Sequence, residues 1–498
     1  MLAPCKAKFQ TFFFAPSDGR AEALFRIGYA LILLTDLLFQ YGKWELLYSN
    51  RGVSVGTTFD SLYAPSVVNA LYYVWIGVLL LVAIGGLTRW MATINYALLF
   101  YFFELRGVFV GHGADWVYHS MGFYLMFMTT DRHYSLWQRW FPHWNKRHWG
   151  DTDLVWPLRL AQINFLFIYF SAGVAKLFDP VWLDGSALEL TFAHPFLTYS
   201  SASWMAASPL LLEGLTYLTT VWQLAAPLAL LSRRLRVLFV TTALLFHLFI
   251  ALSMRVGWFS EIMIASSLLF WDDFAYYFRR GEQPGEGMEE GVEEDAVVAR
   301  PQTRNFLIAY LLLFAVTQTY FISLAAGDPI NLLRRPAEWM ARITGNRPYD
   351  LVPSKYVRRV QFVIFEVVDR EGKKGFLYPF AADGALDFGP ADVKEIRRGL
   401  TRVRLAAGRA NPVIWTNFIN QDILPQVRAG DWQYPLRIDI YRIDLPIRDV
   451  QRPFRADQVS KQLVSRVALP GRDSQVELPP APPRPPQSRP RTLPQGRP

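Results

Sequence analysis

Residues 67–88 read VVNALYYVWIGVLLLVAIGGLT, twenty-two positions without a charged side chain. A run of that length matches the roughly 17–25 apolar residues that carry an α-helix across a bilayer. Comparable runs lie at 157–178, 211–231, 235–254 and 304–325. Two more, 21–41 and 90–110, contain ionisable residues (Arg26 and Asp36; Glu104 and Arg106), and 115–130 and 257–271 are short. The pattern predicts a mostly α-helical, polytopic transmembrane bundle of about nine spans. The first of these is not a cleavable leader, since Arg26 and Asp36 interrupt it and no small-residue cleavage site follows.

The charges record a topology. Lys6, Lys8 and Arg20 precede the first span, Arg132, Arg139, Lys146 and Arg147 follow the fourth, Arg233, Arg234 and Arg236 follow the sixth, and Arg279 and Arg280 follow the eighth. The loop after the fifth is acidic, with Asp179, Asp184, Glu189 and Glu213. Basic short loops stay cytoplasmic, which predicts a cytoplasmic N-terminus and an extracytoplasmic C-terminal region. Arg334, Arg335 and Arg342, after the last span, run against this rule, but long domains cross largely regardless of charge. The net charge of +9 is thereby taken up by loops. Trp137, Trp140, Trp144, Trp149 and Trp156 among the basic residues read as an interfacial belt, so no nucleic-acid partner is expected.

Residues 1–20 form the cytoplasmic N-terminus, 21–280 the main membrane domain and 281–303 an acidic flexible linker. Residues 304–326 form the last span, 327–470 an extracytoplasmic α+β domain, and 471–498 a proline- and arginine-rich disordered tail. Within the α+β domain, 361–369 and 376–380 flank Glu371-Gly372-Lys373-Lys374 as a hairpin, 391–406 reads as helix and 435–445 alternates as a strand. This polar part explains a mean hydropathy of only +0.14. Cys5 is the single cysteine, which excludes an intrachain disulfide and a multi-cysteine metal site.

Ionisable groups inside spans are costly and mark cavities or partners. Lys176 ends the run INFLFIYFSAGVAKL (163–177), behind the small residues Ser171, Ala172, Gly173 and Ala175, which let a helix or a ligand come close. Two readings stay open: a lysine snorkelling to the headgroups, or a desolvated amine able to act as a base. His119 lies one helical turn after Asp115, and His247 sits in mid-span; either makes an interhelical bond or joins Lys176 at one cavity. Arg26 and Asp36 are too far apart along one helix to pair, so each needs a partner on another span. His112 and His194 fall in extracytoplasmic loops, where they line an entrance or are solvated. His143 and His148 lack a third ligand, and no metal site is expected.

Three ordered blocks now resemble one family. YFSAGVAKL (169–177) followed by Asp179, Trp182, Gly185 and Ala187, the segment LFHLFIALSMRVGWFSEIMIASSLLF (245–270), and His119-Ser120 with Thr130-Asp131-Arg132-His133-Tyr134-Ser135 resemble the vitamin K-dependent γ-carboxylases. Phe25-Arg26-Ile27-Gly28 and Asp36 resemble the start of the broader horizontally transferred transmembrane (HTTM) domain. The resemblance covers roughly 20–275. It implies Lys176 as the base that deprotonates vitamin K hydroquinone or, in a bacterial inner membrane, menaquinol. It also implies His119 and His247 as polar partners, and Arg26, Asp36, Gly173 and Trp182 as cofactor contacts. The quinol anion would then take up O2 and yield a base strong enough to remove the γ-proton of a glutamate in a protein or peptide. CO2 would add to the carbanion, and the quinol would leave as its epoxide. Two departures stand out: the lysine pair of the animal enzymes is Ala175-Lys176 here, and the extracytoplasmic region is shorter. The alternative is a non-enzymatic HTTM scaffold for maturing or exporting a partner. A transporter has little support, since no inverted repeat is apparent.

Overall fold

The computed structural model describes residues 9–53, 60–104, 111–142, 154–279, 300–347, 357–388, 405, 412–447 and 454–476. Its α-helices of eight residues or more are α1 (Arg20–Phe39), α2 (Pro65–Ile84), α3 (Thr88–Leu99), α4 (Gly113–Leu125), α5 (Trp156–Lys176) and α6 (Pro209–Leu224). They continue with α7 (Arg233–Ser253), α8 (Phe259–Ser266), α9 (Trp271–Arg279), α10 (Pro301–Ala325) and α11 (Asn331–Thr344). Proline within the first two positions opens α2, α5, α6 and α10, where its missing N–H is no loss and its fixed φ already suits the helix.

Among the described residues, four helices are long and apolar enough to cross a membrane: α2, α5, α7 and α10. Over their described residues, the other expected spans are helical but shorter, interrupted or more polar. The stretch 211–231 breaks after α6, because Pro227 cannot continue a helix and the chain tightens into a 3-10 turn over Ala226–Leu230. The stretch 257–271 divides into α8 and a 3-10 turn at Ser267–Phe270.

The helices pack as one bundle. α1 lies against α2, α4 and α8, and α4 also touches α3 and α5. A buried polar chain ties four of them together. Trp75 donates to the Asn95 side-chain oxygen at 2.8 Å, Asn95 donates to the Tyr29 hydroxyl at 3.2 Å, and Tyr29 donates to the Tyr118 carbonyl at 2.9 Å. α10 runs alongside α5 in the same direction, with Trp156 against Phe306 and Phe167 against Phe314.

α11, which the sequence reading passed over, doubles back along α10. It buries Ala337, Met340, Ala341 and Thr344 and exposes Arg334, Arg335 and Arg342 on the opposite face. At its end Asn346 donates to the hydroxyls of Tyr310 (2.9 Å) and Tyr124 (3.2 Å).

The C-terminal part holds an antiparallel sheet in the order β2-β1-β3-β4, from β1 (Arg359–Val368), β2 (Lys374–Phe376), β3 (Leu436–Pro446) and β4 (Gln462–Leu469). The expected hairpin and the 435–445 strand are present. β2 stops at Phe376, ahead of Pro379, and β4 was not anticipated. β1 is apolar on both faces because both are covered. Val363, Phe365 and Val367 pack with Phe418, Ile423 and Val427 of the helical segment 412–429. Val360, Phe362 and Ile364 pack with Val181, Trp182, Ala187 and Leu190, next to α5. Asn417 also donates to the Gly52 carbonyl at 2.9 Å. The sheet is thus seated on two loops of the helical bundle. The expected helix at 391–406 lies outside the described residues apart from Leu405, as do 280–299 of the acidic linker, 477–498 of the tail, Cys5, His143 and His148. Helix α10 begins at Pro301, inside the stretch read as linker.

Candidate functional site

α5 ends at Lys176, and the chain turns at once. Asp179 caps the short helix Pro180–Leu183 by accepting the Val181 N–H at 3.1 Å, with Pro180 at its first position. This turn returns Trp182 toward the end of α5, and the Lys176 Nζ lies 4.3 Å from the centre of an indole ring of Trp182. Lys176 also donates to the Ala172 carbonyl at 3.3 Å and is only 4% exposed. A snorkelling lysine would present its ammonium to water; this one is enclosed. Trp182 packs in the same apolar cluster as β1 and β3 side chains, so the indole that covers the lysine is backed by the sheet.

His247 is buried in α7, with its Nε2 2.8 Å from the Tyr169 hydroxyl. Its Nδ1 has no hydrogen-bond partner among the described residues. The rings of Phe246, Phe259 and Tyr169 surround it at centroid distances of 5.3, 5.5 and 5.8 Å. Tyr169 precedes Lys176 by seven residues on α5, two turns or about 10 Å along one face. The His247–Tyr169 pair and Lys176 therefore share a helix face. Sequence reasoning gave Tyr169 no role; its spacing from Lys176 was the available signal.

His119 has other neighbours. Its Nε2 is 3.2 Å from the Tyr96 hydroxyl, which also bonds the Ile343 carbonyl at the end of α11. The Tyr124–Tyr310–Asn346 network lies one turn further along α4. The expected grouping of His119 with Lys176 and His247 thus divides into a His247–Tyr169 pair on the lysine face of α5 and a His119–Tyr96 pair facing α11.

The residues expected to contact a cofactor are placed as follows. Trp182 meets Lys176, as above. At Gly173 an added Cβ would stand 2.9 Å from the Leu224 backbone nitrogen and 3.1 Å from Gln223 Cβ. α6 takes the space this glycine leaves, so its role is helix contact rather than ligand contact. Arg26 is fully buried and donates to the Tyr134 carbonyl at 2.9 Å, holding the 130–135 turn rather than the lysine region. Asp36, near the other end of α1, accepts from Gln40 at 2.6 Å and approaches His112 and Asp115. Arg26 thus finds a partner on another element, and Asp36 stands close to His112 and Asp115 of another.

Asp36, His112 and Asp115 are buried and offer ligand atoms within 4.8 Å of one another. His112 caps α4, however. Its Nδ1 accepts the Ala114 N–H at 3.1 Å, while Asp115 accepts the His112 N–H at 3.0 Å. A neutral imidazole accepting at Nδ1 carries its proton on Nε2, which lies 3.7 Å from Asp115. His112 and Asp115 thus form a reciprocal cap of α4, with Asp36 close beside them.

His194 follows the helix Ala187–Ala193 and is buried beneath the sheet. Its Nδ1 accepts the Phe196 N–H at 3.3 Å, and desolvation pulls its pKa down to about 4. It is a seat for the sheet, not a solvated loop histidine. Beside it Phe196 stacks on Phe362 at 4.3 Å with the rings 13° from parallel.

Long apolar helices and buried ionisable groups within a helical bundle define a helical membrane protein. The chain belongs to the HTTM domain family, whose model matches residues 14–273, more than half of its length. Comparison with curated proteins and with solved structures finds no match.

Proposed function

We propose that this HTTM protein is a quinol-dependent enzyme of the vitamin K-dependent γ-carboxylase kind, acting on vitamin K hydroquinone or menaquinol with O2. The carrying observation is the enclosed Lys176 amine beneath Trp182, on the α5 face that also presents Tyr169 and His247. Two features support such a ligand: the His247 Nδ1, without a partner among the described residues, offers a hydrogen bond to a quinol oxygen, and the neighbouring rings of Phe246 and Phe259 suit contact with a flat ring. When bound, the quinol would supply with O2 the strong base needed for carbon deprotonation, which no side chain provides. Lys176 takes the quinol hydroxyl proton in an environment without competing water. Tyr169 orients His247, and Trp182 with the sheet above it excludes solvent. CO2 addition to a glutamate-containing protein or peptide is the downstream step.

The same reading places about nine crossings in a bacterial inner membrane, with the N-terminus cytoplasmic and the sheet domain extracytoplasmic. Accessibility labelling of single cysteines introduced at Arg139 and at the exposed Val464, in a Cys5→Ser background, tests that orientation.

Purified protein in lipid nanodiscs, given either quinol and O2, is expected to form epoxide. Lys176→Ala should lower the rate at least about 100-fold, as expected for loss of a general base. Absence of epoxide, or equal formation by the variant, overturns the proposal. A scaffold role is the second reading, favoured by the seating of the sheet on loops of the bundle. It requires that Lys176→Ala leave the cellular function intact.

A further inference from the structure

α7 opens with Arg233 and Arg234, and α9 packs beside that end. Ser232, Arg233, Arg234, Tyr276 and Tyr277 line an open groove of about 470 Å³. Arg236 is held by Asp273 at 2.9 and 3.0 Å, and Arg233 reaches the same carboxylate at 3.3 Å while its guanidinium lies 4.1 Å over the Tyr276 ring. Arg234 is exposed and has no side-chain partner among the described residues. Arg159 is also within electrostatic reach of Arg233, Arg236, Asp272 and Asp273, and Glu22 of Asp272. With Arg234, guanidinium groups still outnumber carboxylates here, and Arg233 and Arg234 stand on the groove wall.

We propose that this groove binds the phosphate of an anionic phospholipid headgroup. α7 is one of the four helices able to cross a bilayer, so its first turn lies at headgroup level. Trp271, Tyr276 and Phe278 of α9 are exposed around the groove, as interfacial anchors are. The face of α7 that begins at Arg234 continues through exposed Leu238, Leu245, Leu248 and Leu252, spaced at three, four and seven residues. A phosphate held by Arg234 and Arg233 would thus have its acyl chains on an apolar track directly below. A soluble phosphate has no use for such a track, and this favours the lipid.

The test uses full-length protein in phosphatidylcholine vesicles carrying a trace of spin-labelled phosphatidylglycerol or phosphatidylcholine. The immobilised fraction of each label is then compared. A basic side chain near a membrane surface contributes about 1 kcal/mol toward an anionic lipid, or about fivefold. Preference for phosphatidylglycerol should therefore fall about fivefold in Arg234→Gln and further in the Arg233→Gln/Arg234→Gln pair. Arg234→Lys should retain most of it, and Arg335→Gln, on α11, should be neutral. If the double variant lost its fold, the Arg234→Lys and Arg234→Gln single variants would still decide the matter. Unchanged preference in Arg234→Gln, or displacement of the lipid by inorganic phosphate, overturns the proposal; the latter would mark a free-phosphate site.

Discussion

At Gly345 the backbone stands at φ +70, and an added Cβ would come within 2.5 Å of the Ser120 nitrogen, next to His119. Both the left-handed conformation and the contact exclude a side chain. Gly345→Ala is expected to destabilise by about 1–3 kcal/mol, seen as a lower thermal midpoint in detergent. Tyr169→Phe keeps the ring and removes the hydroxyl that pairs with His247. Leaving a buried imidazole unpaired costs about 1–3 kcal/mol. Under the enzyme proposal epoxide formation should also drop about tenfold, and thermal melts run beside rate assays separate the two effects. The sequence spacing put Lys176 at a helix end behind small residues, but whether it reached water depended on Trp182 folding back. Trp182 in turn depends on a sheet about 180 residues downstream, and no local pattern reports that contact.

The strands show which elements are legible. β3 alternates and β1 carries the apolar block Phe362–Phe365 followed by Val367 and Val368, so period and composition revealed both. β4 (QLVSRVAL) is an edge strand exposed over much of its length, and its apolar residues fall in adjacent pairs and triplets rather than alternating. The membrane helices were recognisable by apolarity, but Pro227 and the 3-10 turns within the runs cut them shorter than hydropathy implies. α11 was missed because three arginines sit on its exposed face while its buried face is made largely of small residues. The loop carrying His194 makes a testable element. The unfolded chain takes up a proton below about 6.5, whereas the folded histidine resists until about 4. Its contribution is complete above pH 6.5 and lost as pH falls toward 4, by up to about 3 kcal/mol. Protease sensitivity of the sheet domain should rise across that window, and His194→Gln should flatten the response.

For the whole molecule, composition averages two unlike parts, and the family match ends at residue 273, before α10, α11 and the sheet. The protein should remain in the membrane fraction through high-salt and alkaline washes and leave it only in detergent. Release by salt alone would contradict the membrane assignment. Segment periodicity reveals the bundle and the sheet separately. The seat between them rests on side chains such as Phe196 and Phe362, 166 positions apart, whose pairing is invisible before the chain folds.

Trp182 has one face on Lys176 and its other neighbours in the sheet. Lifting the sheet from its seat would flood the amine and strip away its aromatic cover in a single motion. Cover and base are one assembly, so under the enzyme proposal any opening wide enough for a large partner would expose the lysine at the same moment, and entry and reaction would alternate rather than coincide.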